Sequence, residues 1–258
     1  MSKNSLVTEL KDAYNKSREI FTDARNKNNN LSDINSLNQN QHIAHGLAWY
    51  ATYVESLLQL SKWIEYLEAN NRLTDLEVGI AGVGAGEYCL QIIHGIPMSQ
   101  NETIRPEELG IPNEKIEEFK KITKSLTQRS TSFEKNRVMS ILQQSIESGI
   151  QPDDGLDETY QEIKNQFKRF VNDEITPHAH EWHMNDDYIP LEIIKKMSEL
   201  GVFGLTIPEE YGGLGLEKKA MCIVSEELSR GWVGVGSLGT RSEIAAELIL
   251  IGGTEEQK

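Results

Sequence analysis

Cysteine, basic residues and long apolar runs are all scarce in this chain of 258 residues. Its two cysteines, Cys89 and Cys222, lie far apart and are each flanked by apolar residues. We therefore predict two small buried groups and no disulfide. The chain has 26 lysines and arginines but 40 acidic residues, so it lacks the clustered positive charge that nucleic-acid binding needs. These scarcities predict a protein of a reducing compartment that binds no nucleic acid.

Signals for secretion or membrane insertion are also missing from the sequence. The opening segment, MSKNSLVTELKDAYNKS, is polar and lacks the apolar core of a secretory signal. No run reaches the roughly eighteen apolar residues that a membrane span requires. We therefore expect a cytoplasmic protein with no membrane span.

Helical periodicity is what the sequence has in abundance. Apolar residues recur at three- to four-residue spacing over several stretches, which predicts amphipathic helices. These stretches are 6–25, 42–69, 73–94, one or two helices within 113–148, 157–176, 191–200, 218–229 and 235–251. Ser5 and Asp157 are suitable caps, whereas Pro177 should end the helix before it. Residues 26–41, rich in Asn and Ser, should form a loop. Since no strand pattern of any length is present, the predicted fold class is all-α.

The segment QPDDG (151–155) is the predicted domain boundary. It places a proline, two acidic residues and a glycine between two helical patterns, which is typical of a linker. The chain is therefore predicted to contain a helical bundle over residues 1–150 and a second helical domain over residues 156–258.

Three motifs suggest chemistry but have simpler explanations. GVGAG (82–86) lacks the spacing of a dinucleotide-binding loop and lies inside a predicted helix, so close helix packing is favoured. The histidines of PHAHEWH (177–183) have no partner cluster elsewhere, so a solvated helix end is favoured over a metal site. PEEYGG (208–213) indicates a sharp turn, where exposed carboxylates lack the burial that a catalytic pair needs. We expect no metal ion.

Arg241 is the charged residue that stands out. It lies between SLGT and SEIAAELIL, within an otherwise small and aliphatic helix, where a charge must be paired or face a cavity. One explanation is an ion pair with Glu243, Glu247 or another helix. The other is a guanidinium that binds a substrate carboxylate through two hydrogen bonds.

The second half of the chain resembles one enzyme family. The segments LGVFGLTIPEEYGGLGL, SEELSRG, ELILIGGTEEQK and ITPHAHEWH are similar to the N-terminal helical domain of flavin-dependent acyl-CoA dehydrogenases. The resemblance covers residues 158–258 and implies oxidation of the α,β carbon–carbon bond of an acyl-CoA. It also implies that the family's β-domain and C-terminal bundle are absent here. The catalytic glutamate and the main FAD-binding region would then lie beyond residue 258, and this chain alone would be inactive.

The resemblance also implies site residues and partners. In family members that handle dicarboxylic acyl-CoA, an arginine near this helix position binds the distal carboxylate. Arg241 fits that role, with Ser237, Thr240 and Ile244 as its neighbours in the pocket. Electron-transfer flavoprotein and a second copy of the chain are the implied partners.

The first half resembles the front of a long family member that acts on such a substrate. The segments that carry this likeness are QHIAHGLAWYATYVESL and GEYCLQIIHGIPMSQNETIRPEELG. A monocarboxylic acyl-CoA substrate and a non-catalytic helical interaction module are the alternatives.

One further expectation concerns the end of the chain. Leu248, Ile249, Leu250 and Ile251 form a continuous aliphatic run, which cannot all face inward on one helix. We expect exposed aliphatic surface there and a tendency to self-associate.

Overall fold

The computed structural model describes the backbone of residues 3–258 and the side chains of residues 6–258. Ser5, the predicted first cap, lies outside the described side chains. The chain divides into two compact units, Met1–Gly155 and Leu156–Lys258, here called the first and second unit. The division falls at the end of the QPDDG segment.

The first unit is a helical bundle with one short two-stranded ladder. Its helices are α1 (Lys3–Lys27), α2 (Ile34–Gln39), α3 (Gln41–Ala69), α4 (Asp75–His94), α5 (Asn113–Ile122), α6 (Lys124–Gln128) and α7 (Ser132–Glu147). The strands β1 (Ile96–Pro97) and β2 (Thr103–Ile104) pair antiparallel, with Ile96 opposite Ile104. The all-α prediction is confirmed apart from this ladder.

The predicted loop at 26–41 is wrong in part. A 3-10 turn (Asn29–Ser32) and α2 occupy most of it. Asp33 caps α2, because its side chain accepts a hydrogen bond from the Ser36 amide at 2.9 Å. Local capping thus outweighs the loop-like composition.

The core of the first unit lies between α1, α3 and α4. Its largest fully buried side chains include Leu6, Leu10, Ile20, Tyr50, Leu57, Ile64, Ile92 and Phe119. The glycines of α4 let other helices approach closely, since a Cβ on Gly86 would overlap the Leu126 carbonyl and the Ser130 hydroxyl. The packing explanation of GVGAG is therefore confirmed.

Among the described residues, α4 alone is long and apolar enough to cross a membrane by length and composition. Its apolar window is 56% buried inside the protein, and Ala81, Ala85 and Cys89 are fully buried. A capping box between Thr74 and Glu77 begins the helix. The burial is that of a core helix in a bundle.

The second unit is built from α8 (Glu158–Phe170), α9 (Thr176–Met184), α10 (Leu191–Glu199), α11 (Lys218–Gly231) and α12 (Val233–Gly252). Its core contains Phe167, Val171, Ile175, Met197, Val224, Leu228 and Val235. Asp157 caps α8 by accepting a hydrogen bond from the Tyr160 amide at 3.1 Å, which confirms that prediction. The predicted PEEYGG turn is also confirmed, as Glu209–Tyr211 form a 3-10 turn that ends at Gly212 with φ 83°.

Two expectations about the second unit are wrong. Pro177 does not stop the helix, because a π-helical turn (Val171–Ile175) leads from α8 into α9. Pro177 then lies in the first turn of α9, where its missing N–H is tolerated. Cys222 is exposed, whereas Cys89 is buried as predicted. The apolar neighbours of Cys222 in sequence point to other sides of α11, since successive helical residues turn by about 100°.

Candidate functional site

The helix α12 carries all four predicted site residues, and its packing decides which side is accessible. It buries Val235, Gly236, Gly239 and Glu243 against α11 and the turn Val202–Gly204. A Cβ on Gly236 would overlap Ser229, and one on Gly239 would lie 2.9 Å from Val202 Cγ1. These glycines allow the first half of α12 to lie close to its neighbours.

The opposite side of α12, called the outer face, carries the candidate residues. Residues three and four apart share one side of a helix. The outer face therefore comprises Val233, Ser237, Thr240, Arg241, Ile244, Leu248 and Ile251. The structure thus places all four candidates on one face.

The two hydroxyls of the outer face are held by their own helix. Ser237 Oγ donates to the Gly234 carbonyl, and Thr240 Oγ1 donates to the Ser237 carbonyl, both at 2.9 Å. Because each hydroxyl proton is already used, each oxygen presents its lone pairs to the outside and acts as a hydrogen-bond acceptor.

Arg241 is exposed and, within the part of the chain that the structure describes, makes no ion pair or hydrogen bond. Its neighbours one turn away on α12 are Ser237, Leu238, Ile244 and Ala245, none of which is charged. The ion-pair explanation with Glu243 or Glu247 is therefore wrong. The guanidinium fork is available to an outside ligand.

Glu243 and Glu247 have other partners, which sequence reasoning missed. The buried Glu243 carboxylate accepts from the Thr206 amide at 3.2 Å and from the Thr206 hydroxyl. Lys218 lies 3.6 Å from Glu243, donates to Thr206 Oγ1 at 3.1 Å and pairs with Glu247. The only signal in the sequence was a glutamate within a glycine-rich, aliphatic helix.

These ion pairs keep Lys218 charged. The hydrogen bond to Glu247, assisted by the charges of Glu247 and Glu243, raises the Lys218 pKa against the opposing effect of desolvation. The cluster of Thr206, Lys218, Glu243 and Glu247 thus joins the segment before PEEYGG to the middle of α12.

A cavity of about 200 Å³ lies between that segment and the second half of α12. Its lining is mostly apolar and includes Ile207, Pro208, Tyr211, Ile249 and Leu250. The run 248–251 is exposed by 70%, 46%, 37% and 81% in order, which confirms the predicted aliphatic surface.

The other motifs supply no site. Within the described residues, no group of His, Cys, Asp and Glu side chains could hold a metal ion. His178 instead lies against Trp182, with ring centroids 5.4 Å apart. The GVGAG segment is packed within α4 and offers no phosphate cradle.

Comparison with known proteins supports the resemblance found in the sequence. Residues 157–258 match the family model described as acyl-CoA dehydrogenase, N-terminal domain. These residues belong to the acyl-CoA dehydrogenase family. The match spans the second unit and includes the whole of α12.

Individual relatives extend this finding. The chain is 45% identical over 263 residues to (2S)-methylsuccinyl-CoA dehydrogenase of Cereibacter sphaeroides, covering 98% of this chain and 47% of that protein. It is 36% identical to isovaleryl-CoA dehydrogenase of Solanum tuberosum, over 40% of this chain and 25% of the relative. It is 42% identical to glutaryl-CoA dehydrogenase of Desulfococcus multivorans, over 31% of this chain and 21% of the relative. The Cereibacter protein is similar across both units, and the chain spans about half of its length.

Proposed function

We propose that this chain is the N-terminal part of an FAD-dependent acyl-CoA dehydrogenase that oxidises (2S)-methylsuccinyl-CoA to mesaconyl-CoA. Similarity across both units to a methylsuccinyl-CoA dehydrogenase supports the substrate. The single structural observation that carries the proposal is the outer face of α12, where Arg241 is the one charged residue among apolar and hydroxyl side chains.

The chemistry of that face suits a dicarboxylic acyl group. Ile244 would contact the carbon chain of the substrate, while the Arg241 fork would bind the distal carboxylate through two parallel hydrogen bonds. A monocarboxylic acyl-CoA would cover Arg241 without giving it a partner, and a covered, unpaired charge is costly. Arg241 therefore favours the dicarboxylic substrate over a monocarboxylic one.

FAD would supply the oxidant of this reaction when bound. The glycine-rich segment 82–86 offers no place for it, because that segment is buried against neighbouring helices. We assign no residue of this chain to flavin binding and none as the catalytic base. The chain by itself should be colourless and inactive. A yellow purified chain with a flavin spectrum would contradict this part of the proposal.

The proposal also names the cellular compartment of the protein and its partners. The two cysteines are free, which supports a reducing cytoplasm. Electron-transfer flavoprotein is the proposed electron acceptor.

The exposed run 248–251 supports a homo-oligomer. Light scattering at rising protein concentration tests the oligomer, and a constant monomer mass would contradict it.

The decisive experiment uses a chimera that joins this chain to the remaining half of the Cereibacter relative. We expect Arg241→Ala to lower kcat/KM for methylsuccinyl-CoA about 10- to 100-fold, because a hydrogen-bonded charged pair contributes roughly 1.5–3 kcal/mol. Arg241→Lys should recover only part of the loss, since an ammonium cannot form the two-pronged contact.

The matched control is Arg169→Ala, which removes the same charge from an exposed position on α8 and should leave kcat/KM unchanged. Activity of Arg241→Ala on a monocarboxylic acyl-CoA should be kept or raised. Equal loss on both substrates, or no loss on either, would remove Arg241 from carboxylate recognition.

A further inference from the structure

Apolar burial alone does not fix the rotation of α12 about its axis. Val235 and Leu238 lie on different sides from Ile244 and Leu248, so apolar residues surround the helix. In the first half, Gly236 and Gly239 fit closely against Ser229 and Val202. Within the described structure, the second half has no comparable close contact of glycine with a neighbouring helix.

Glu243 is the last buried residue of α12, since every later residue of the helix is half-buried or exposed. It is only 3% exposed, and a carboxylate so deeply buried must be compensated by charged or hydrogen-bonded partners. Thr206 supplies an amide and a hydroxyl, and Lys218 supplies a positive charge. Only one rotation of the helix brings Glu243 to these partners.

We infer that Glu243 is a positioning residue that sets the rotation of the second half of α12 and so keeps Arg241 on the accessible face. Glu243 lies two residues after Arg241, about 200° around the helix, so burying one exposes the other. An effect of Glu243 on substrate selection rests on the proposed function. The role of Glu243 in positioning α12 does not depend on that function.

The inference separates positioning from stability. Glu243→Leu removes the desolvation cost of the carboxylate but leaves the Thr206 amide and hydroxyl without their acceptor, so we expect some loss of stability. Lys218 is about half exposed and keeps Glu247 as its partner. We therefore expect the second unit to stay folded, and a core thiol reports directly whether it does. Glu243→Gln keeps an oxygen for the Thr206 amide and should largely keep the position.

The test measures thiol labelling in the 258-residue chain and needs neither flavin nor substrate. The background is Cys222→Ser, which removes the exposed native thiol. Cys89 stays in place because it is buried, and burial raises its pKa to about 12. Separate variants carry Ile244→Cys on the outer face, Val235→Cys on the buried face of the first half of α12, or Met197→Cys on α10 in the core of the second unit.

With Glu243 present, we expect Ile244→Cys to react rapidly and Val235→Cys and Met197→Cys to be protected. Glu243→Leu should slow Ile244→Cys by about tenfold or more. Val235→Cys, in the half of α12 that Gly236 and Gly239 hold, and Met197→Cys should both stay protected. Glu243→Gln should stay within about twofold of the parent. An Ile244→Cys rate within twofold of the parent in the Glu243→Leu background would overturn the inference.

If Met197→Cys becomes reactive, Glu243→Leu has unfolded the second unit. The Thr206→Val variant is then tested in place of Glu243→Leu. That variant removes only the hydroxyl that donates to Glu243. It should slow Ile244→Cys by a smaller factor, and an unchanged Ile244→Cys rate would again overturn the inference.

The chimera separates this inference from the proposed function. If Glu243→Leu changes labelling but not the preference for a dicarboxylic acyl-CoA, Glu243 positions α12 and the carboxylate role of Arg241 is wrong. If labelling does not change, the positioning role fails whatever the activity.

Discussion

The two long apolar helices α4 and α12 have the same length, 20 residues each, and very different surroundings. Helix α4 is enclosed by α1, α3, α5, α6 and α7 in the first unit. Helix α12 contacts α11 and the turn Val202–Gly204, and leaves its outer face open. Both place glycines at close helix contacts, and each buries one glutamate, Glu77 or Glu243.

The difference shows that an apolar helix can serve two purposes. In α4 the apolar residues build a core, and Glu77 caps the helix and accepts a hydrogen bond from the Asp153 amide at 3.0 Å. In α12 most of the apolar residues are exposed, and Ile244 and Leu248 share the outer face with Arg241. An exposed apolar surface with one charged residue at its centre is typical of a binding surface.

The largest expected effect is on the free energy of unfolding, when one aliphatic side chain in each helix is cut back to alanine. Ile92→Ala in α4 removes a side chain that is 1% exposed and should lower the free energy of unfolding by about 2–5 kcal/mol. Leu248→Ala on the outer face should change it by less than about 0.5 kcal/mol. Urea unfolding of the full chain, followed by hydrogen exchange of α4 and α12 peptides, measures both. Equal losses would contradict the contrast between core and surface.

A second contrast sharpens the role of glycine within α4. Gly86→Ala should destabilise the first unit by about 1–3 kcal/mol, because the new methyl group meets the Leu126 carbonyl and the Ser130 side chain. The matched control is Gly84→Ala, where the nearest atom would be Leu60 Cδ1 at 3.8 Å. That variant should stabilise the helix by up to about 1 kcal/mol. A gain at both positions would show that α4 is not tightly packed at Gly86.

The smallest expected effect concerns the pH dependence of the first unit. Burial alone would raise the Glu77 pKa, but hydrogen bonds from the Thr74 hydroxyl and the amides of Asp153, Glu77 and Thr74 outweigh it and lower that pKa below 4.5. Because the folded-state pKa is lowered, its stabilising effect is complete above the unfolded-state pKa. The effect is lost as the pH falls through the folded-state pKa.

Urea unfolding of the first unit at pH 7 and at pH 3 measures this dependence. Glu77→Gln should reduce the difference in unfolding free energy between the two pH values. Glu55→Gln, which removes an exposed carboxylate from the neighbouring helix α3, is the control. An unchanged pH dependence in Glu77→Gln would contradict the role of this carboxylate.

Much of the fold was predictable because it depends on local patterns. The spacing of apolar residues located α1, α3, α4, α8 and α12 within a few residues, and the turn at Gly212 follows from glycine chemistry. The short α2 and the π-helical turn before Pro177 were missed. Helix α2 depends on a single capping side chain, Asp33, and the π-helical turn depends on a change of helical winding. Neither feature alters the spacing of the apolar residues.

Local patterns were enough to predict the helical class, the likeness of the second unit to one family and the four candidate residues on one helix, because periodicity and motif order are properties of neighbouring residues. The inward contacts of Glu243 with Thr206 and Lys218, and the exposure of Arg241 without a partner, could be seen only in the folded structure. Thr206 lies 37 residues before Glu243. Contacts over such distances along the chain depend on how the helices pack, which no local pattern specifies.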